Sequence, residues 1–122
     1  MTQRFKLIIE YEGTKFCGWQ TQRGGGAVQD ALSDAVFKFC GEELNVNGAG
    51  RTDTGVHARG QVAHLDIDKS TDASTLLKAL NFHLKPHPVA VLSAQLVDSE
   101  FDARFSAIRR HYEYRILSRR VR

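Results

Sequence analysis

The sequence has little cysteine and little proline, two of each in 122 residues. Cys17 and Cys40 stand alone without Cys-x-x-Cys spacing, so neither a disulfide framework nor a zinc site is suggested. No apolar run is long enough to span a bilayer, and no membrane partner is expected. The opening Met1-Thr2-Gln3-Arg4-Phe5-Lys6 lacks the basic-then-apolar layout of a secretory signal, which makes a cytoplasmic protein the expectation. The histidines are scattered. His83 and His87 are four apart, but Pro86 between them breaks helical geometry, so no metal is expected there. There is no internal repeat and no interdomain linker. The length suits one domain with a single modest core.

What is present is the composition of an ordinary soluble globular domain, 42% hydrophobic and 25% charged. Lys and Arg exceed Asp and Glu by only 17 to 14, which permits an acidic partner without demonstrating one. Placement says more: Arg104, Arg109, Arg110, Arg115, Arg119, Arg120 and Arg122 crowd residues 104–122. Such clustering fits a phosphate-binding face. It equally fits a solvated strand edge and tail, and charge alone leaves both open.

Phe5, Leu7, Ile9 and Tyr11 recur at every second position and predict a first strand. A long glycine-rich loop follows, Glu12 to Gly26, of a kind that is often functional. Val28, Leu32, Ala35, Val36 and Phe39 keep helical spacing and predict a helix over Ala27–Cys40, with Gly41 as its C-terminal glycine. Leu44–Ala49 reads as a short strand, Gly50–Arg59 as a polar loop and Gln61–Asp68 as a third strand with Ala63, Leu65 and Ile67 on one face. Ser70-Thr71-Asp72 offers N-caps for a second helix through Leu76, Leu77 and Leu80, closed by Pro86 and Pro88. Val89–Val97 and Arg110–Leu117 read as a fourth and a fifth strand. The order predicts an α+β, ferredoxin-like (split βαβ) antiparallel sheet with two helices on one face, the other face being available to a partner or second domain.

The most informative stretch is Gly48-Ala49-Gly50-Arg51-Thr52-Asp53-Thr54-Gly55-Val56-His57-Ala58. Its glycines permit positive φ and close approach of a ligand. Arg51 near Asp53 would keep the carboxylate ionised, fit to act as nucleophile or general base. A structural Arg–Asp pair fixing the loop is the competing reading. A dinucleotide loop is disfavoured, because the third glycine is misplaced and no parallel βαβ unit follows.

Gly50-Arg51-Thr52-Asp53-x-Gly55-Val56-His57-Ala58 closely resembles the signature of the TruA family of tRNA pseudouridine synthases. Tyr11-Glu12-Gly13-Thr14-Lys15-Phe16-Cys17-Gly18-Trp19-Gln20 resembles that family's first-strand motif. Val28-Gln29, Gly60-Gln61-Val62, Phe101-Asp102-Ala103-Arg104-Phe105-Ser106-Ala107 and Arg110-His111-Tyr112-Glu113-Tyr114 match further blocks, in order, across nearly the whole chain. Two features depart from the pattern. Thr54 stands where alanine is usual, and the chain stops soon after the tyrosine strand, where family members continue for roughly the same length again. The expectation is a single N-terminal, catalytic-type domain over residues 1–122 with the family's C-terminal half absent.

The resemblance implies conversion of uridine to pseudouridine at positions 38–40 of the tRNA anticodon stem-loop, without cofactor or metal. It implies Asp53 as the catalytic carboxylate, Arg51 in base extrusion and Tyr112 stacked on the uracil. It further implies Phe101, Arg104 and Phe105 as a tRNA-contacting segment, and a homodimer. Without the resemblance, Tyr112 would read as a core aromatic, and Phe101 and Phe105 as anchors of a turn. Trp19 reads as a core or hinge anchor, and His57 as a hydrogen-bonding residue that shapes the signature loop. Two further readings compete: a non-catalytic ferredoxin-like RNA-binding module, and a structural fragment that binds RNA weakly. The first of these would show aromatic-rich strands on the sheet face, which this sequence lacks.

Overall fold

The computed structural model describes residues 2–21, 25–50 and 55–104. Strand β1 (Gln3–Tyr11), helix α1 (Val28–Cys40), strands β2 (Asn47–Gly48) and β3 (Ala58–Ile67), helix α2 (Ala73–Leu84) and strand β4 (Val89–Val97) follow in that order. They form one antiparallel sheet in the order β2-β3-β1-β4 with two helices, the ferredoxin-like α+β arrangement. The expected fifth strand, Arg110–Leu117, lies outside the described residues.

β1 is central because it can be buried along one whole face. Phe5, Leu7, Ile9 and Tyr11 are all buried, and they meet Leu65, Ala63 and Gln61 of β3 on one side and Leu96, Ala94, Val91 and Val89 of β4 on the other. Leu32 and Val36 of α1 and Leu76, Leu80 and Leu84 of α2 close the same core. Each such aliphatic side chain removed from water contributes about 1.5–3 kcal/mol.

The helix ends follow their sequence signals. Gly41 takes the left-handed conformation (φ 77°) and its N–H donates to the Phe37 carbonyl. Asp72 caps α2 by accepting the Thr75 N–H at 2.7 Å, which also holds its carboxyl below the usual range. Asn81 ties α2 to β4: it donates to the Val91 carbonyl at 3.0 Å and accepts the Val91 N–H at 2.8 Å.

The second face of the sheet is not wholly free, which corrects the expectation drawn from the pattern. Arg4, Lys6 and His64 point there, and residues 99–103 of the same chain lie over them. The Arg4 guanidinium donates to Asp66 at 2.8 and 3.0 Å and to the carbonyls of Ser99 and Phe101. The Ala103 N–H donates to His64 Nδ1 at 3.1 Å. Lys6 and His64 are buried as a result, although neither residue type is usually found inside.

Candidate active site

The signature loop leaves the sheet at β2 and returns at β3. Asp53 and Arg51 lie outside the described residues, but Gly50 and Gly55, which bracket them, are held. On the outgoing side the Ala49 N–H donates to the Val62 carbonyl at 2.8 Å, and the Gln61 amide donates to the Gly50 carbonyl. Gly48 lies against the Trp19 indole: a Cβ there would sit 2.5 Å from Trp19 Nε1. Trp19 is buried and packs at a tilt against Tyr11, with ring centroids 6.2 Å apart, as expected of a core anchor.

On the return side Gly55 adopts φ 81°, a conformation that favours glycine, and donates to the Phe16 carbonyl at 3.2 Å. A Cβ on Gly13 would meet the Val56 carbonyl oxygen at 1.9 Å. The Gly13 N–H donates to His57 Nδ1 at 2.8 Å. The exposed Glu12 carboxylate accepts from the Thr14 N–H at 3.0 Å and from the Thr14 hydroxyl. The short 3-10 turn Gly13–Lys15 at the end of β1 therefore grips the return stem of the signature loop, while β3 and Trp19 hold the outgoing stem, and together they clamp the loop. Two motifs separated by some forty positions in the chain meet here, with Gly13 against the Val56 backbone and Gly48 against the Trp19 side chain.

Beside the return stem a cleft of about 570 Å³ opens, lined by Glu10, Glu12, His57, Arg59, His87 and Val89 among others. It carries charges of both signs, which suits a polar, partly charged ligand better than a bare polyanion.

Of the other residues expected at the site, Phe105 and Tyr112 lie outside the described residues. Phe101 is half-buried with its ring edge-on to His64, centroids 6.2 Å apart, and with the Lys6 ammonium 5.9 Å from its ring centre. Arg104 is exposed, one residue beyond the fully buried Ala103. Sequence reasoning missed the residues that seat this segment: Arg4, Lys6, His64 and Asp66. Hydrogen bonding to Arg4 holds the Asp66 carboxyl below its usual range. Burial, and then the nearby Arg4 charge, push the His64 imidazole down. A signal existed, since alternation puts His64 and Lys6 on one face opposite the core. What covers that face comes from residues far along the chain. Among the described residues, that sheet face carries no row of exposed aromatics, which weighs against the RNA-recognition type of module.

A family model described as tRNA pseudouridine synthase matches residues 7–106. Proteins called tRNA pseudouridine synthase A are similar to the chain: 62% identical over 117 residues in Rhodopseudomonas palustris strain HaA2 and 58% over 118 residues in Afipia carboxidovorans. A third, from Parvibaculum lavamentivorans, is 54% identical over 118 residues. These matches cover 96–97% of this chain and 48% of each relative, so the chain spans about half the length of the curated relatives it matches. With the signature loop and its clamp matched from end to end, the chain belongs to the tRNA pseudouridine synthase family.

Proposed function

We propose that this chain is the catalytic-loop half of a tRNA pseudouridine synthase that isomerises uridines at positions 38–40 of the anticodon stem-loop, with Asp53 as the essential carboxylate. The observation that supports this most is the clamp. Both stems of the Gly50–Gly55 loop are fixed by backbone bonds and by glycine contacts that admit no side chain. That is the investment expected for a loop whose central residue must be placed to a fraction of an ångström.

The reaction breaks the N1–C1′ glycosidic bond, turns the uracil in place and forms a C5–C1′ bond. Atoms are conserved apart from exchange of the C5 proton, so no external donor is consumed. Asp53 acts on the sugar or the base. Arg51 assists extrusion of the target base from its stem, Tyr112 stacks on the uracil while it turns, and Phe101, Arg104 and Phe105 contact the tRNA. The full-length protein acts in the cytoplasm as a homodimer. A full-length protein carrying Asp53→Asn tests the assignment by tritium release from tRNA labelled at uridine C5. A loss of about 10³-fold or more is expected at unchanged folding. Substantial turnover by that variant would falsify the catalytic role.

The non-catalytic RNA-binding module has no observation in its favour beyond the fold itself, and fold alone does not assign function.

A further inference from the structure

His57 lies on the stem by which the signature loop returns to β3. Among the described residues, its Nδ1 neighbours are the Gly13 backbone nitrogen at 2.8 Å and Glu12 Oε1 at 3.1 Å. One ring nitrogen either holds a lone pair and accepts, or holds a proton and donates. The two contacts therefore exclude each other as hydrogen bonds. With Nδ1 bare, the ring accepts the Gly13 N–H and its own proton sits on Nε2. With Nδ1 protonated, the ring donates to the Glu12 carboxylate, and the N–H of Gly13, a buried residue, loses its partner. Gly13 cannot move alone, because it lies directly against the Val56 carbonyl. Next to Val56, Gly55 hangs on the Phe16 carbonyl.

We propose that His57 is a positioning residue that works as the neutral Nε2–H tautomer, and that protonation passes it from Gly13 to Glu12 and loosens the stem of the signature loop. The proposal rests on the reading of that loop as the carrier of the catalytic Asp53. Among the described residues, the charged and titratable groups around the ring are Glu12 at the end of β1, Glu10 of β1, Arg59 of β3 and His87 ahead of β4, which share its cleft.

Nitrogen-15 NMR on this chain over a pH series reads the ring and the amide together. The expected result is the Nε2–H tautomer in the neutral ring, and a Gly13 amide that shifts, and exchanges faster, as the ring takes up its proton. An Nδ1–H tautomer in the neutral ring, or a Gly13 amide indifferent to that protonation, overturns the proposal. A kinetic arm uses this chain joined to the second half of a family relative. As His57 takes up its proton, kcat should fall about tenfold or more with KM little changed. His57→Asn, whose Oδ1 can accept near the place of Nδ1, should keep more kcat than His57→Ala and lose the acid limb. Glu12→Gln should flatten the same limb. An Asn variant that folds but is as poor as Ala, or that retains the acid limb, counts against the clasp. If Asp53→Asn stays active, the catalytic reading fails, while the NMR arm still decides the clasp.

Discussion

His64 is buried for a reason that its own strand does not contain. Alternation along β3 sends it to the face opposite Ala63, Leu65 and Ile67, where solvent would be expected, yet the Ala103 N–H reaches its Nδ1 from 39 positions away. An imidazole that must accept a hydrogen bond is stabilising only while neutral. Its folded pKa is depressed, first by burial and then by Arg4. Its contribution is therefore present above the ordinary histidine range and lost as pH falls through the lowered folded value. Asp66, Glu42 and Asp72, whose carboxyls are also held low, lose their contributions only in the more acidic carboxylate range. Thermal melts should thus show a decline below about pH 6.5. In His64→Asn, which offers an Oδ1 acceptor without titrating, that decline should shrink. An identical decline in the variant would remove His64 from the account. Tyr112 makes a second residue-scale test, in a full-length protein. Tyr112→Phe should retain more activity than Tyr112→Leu if stacking on the uracil is its role. Equal, complete loss in both would assign the work to the hydroxyl, and full activity in both would return Tyr112 to a core aromatic.

At the scale of elements, the clamp turn and the α2–β4 tie are where single changes should do most damage. Gly13→Ala would drive a methyl group into the Val56 carbonyl, with no flexible side chain to yield. Overpacking against backbone should cost about 3 kcal/mol, read as a lower denaturant midpoint, unless the clamp opens instead. Opening would appear as faster amide exchange at Gly55 with stability nearly kept, and a variant unchanged in both would refute the contact. Asn81→Ala leaves the Val91 N–H and C=O without their side-chain partner, and should cost about 1–3 kcal/mol. Most elements were legible, because a two- or four-residue recurrence of apolar positions survives in the sequence: β4 spans Val89–Val97 as read, and α1 begins one residue after the expected Ala27. The misses have physical causes. β2 pairs only at Asn47–Gly48, not over Leu44–Ala49, and the Val46 carbonyl is taken by the Gln29 side chain at 2.9 Å. β3 begins at Ala58, ahead of the expected Gln61, because its register with β1 shifts between Ile9 and Tyr11, and a bulge breaks the alternation by which strands are read. The signature motif was legible in the sequence, and the contacts that hold its stems were not. Nothing local in Glu12-Gly13 announces that His57 will close on it.

At the scale of the whole molecule, the chain supplies the signature loop and its clamp, and spans 48% of the relatives' length. An enzyme that turns a base inside a stem must exclude water and hold both the base and the ribose, which calls for walls on more than one side. Among the described residues the space beside the loop is an open cleft, and the second sheet face is partly filled by the chain's own residues 99–103. The expected outcome is that residues 1–122 alone fold and bind tRNA weakly without turning it over. What binding remains should be dominated by phosphate contacts from basic side chains, in a chain of net charge +3. Its affinity should therefore fall steeply with salt, log K declining by roughly 0.7–0.9 per phosphate neutralised for each unit of log salt. Arg104→Ala should weaken binding and flatten that slope by about one contact. Joining the chain to the second half of a relative should bring tritium release up from background and make the affinity less dependent on salt. Turnover by the 122 residues alone, comparable to that of the joined protein, would mean that the clamped loop needs no second wall. The relatives' remaining half would then serve some purpose other than closing the site around the base.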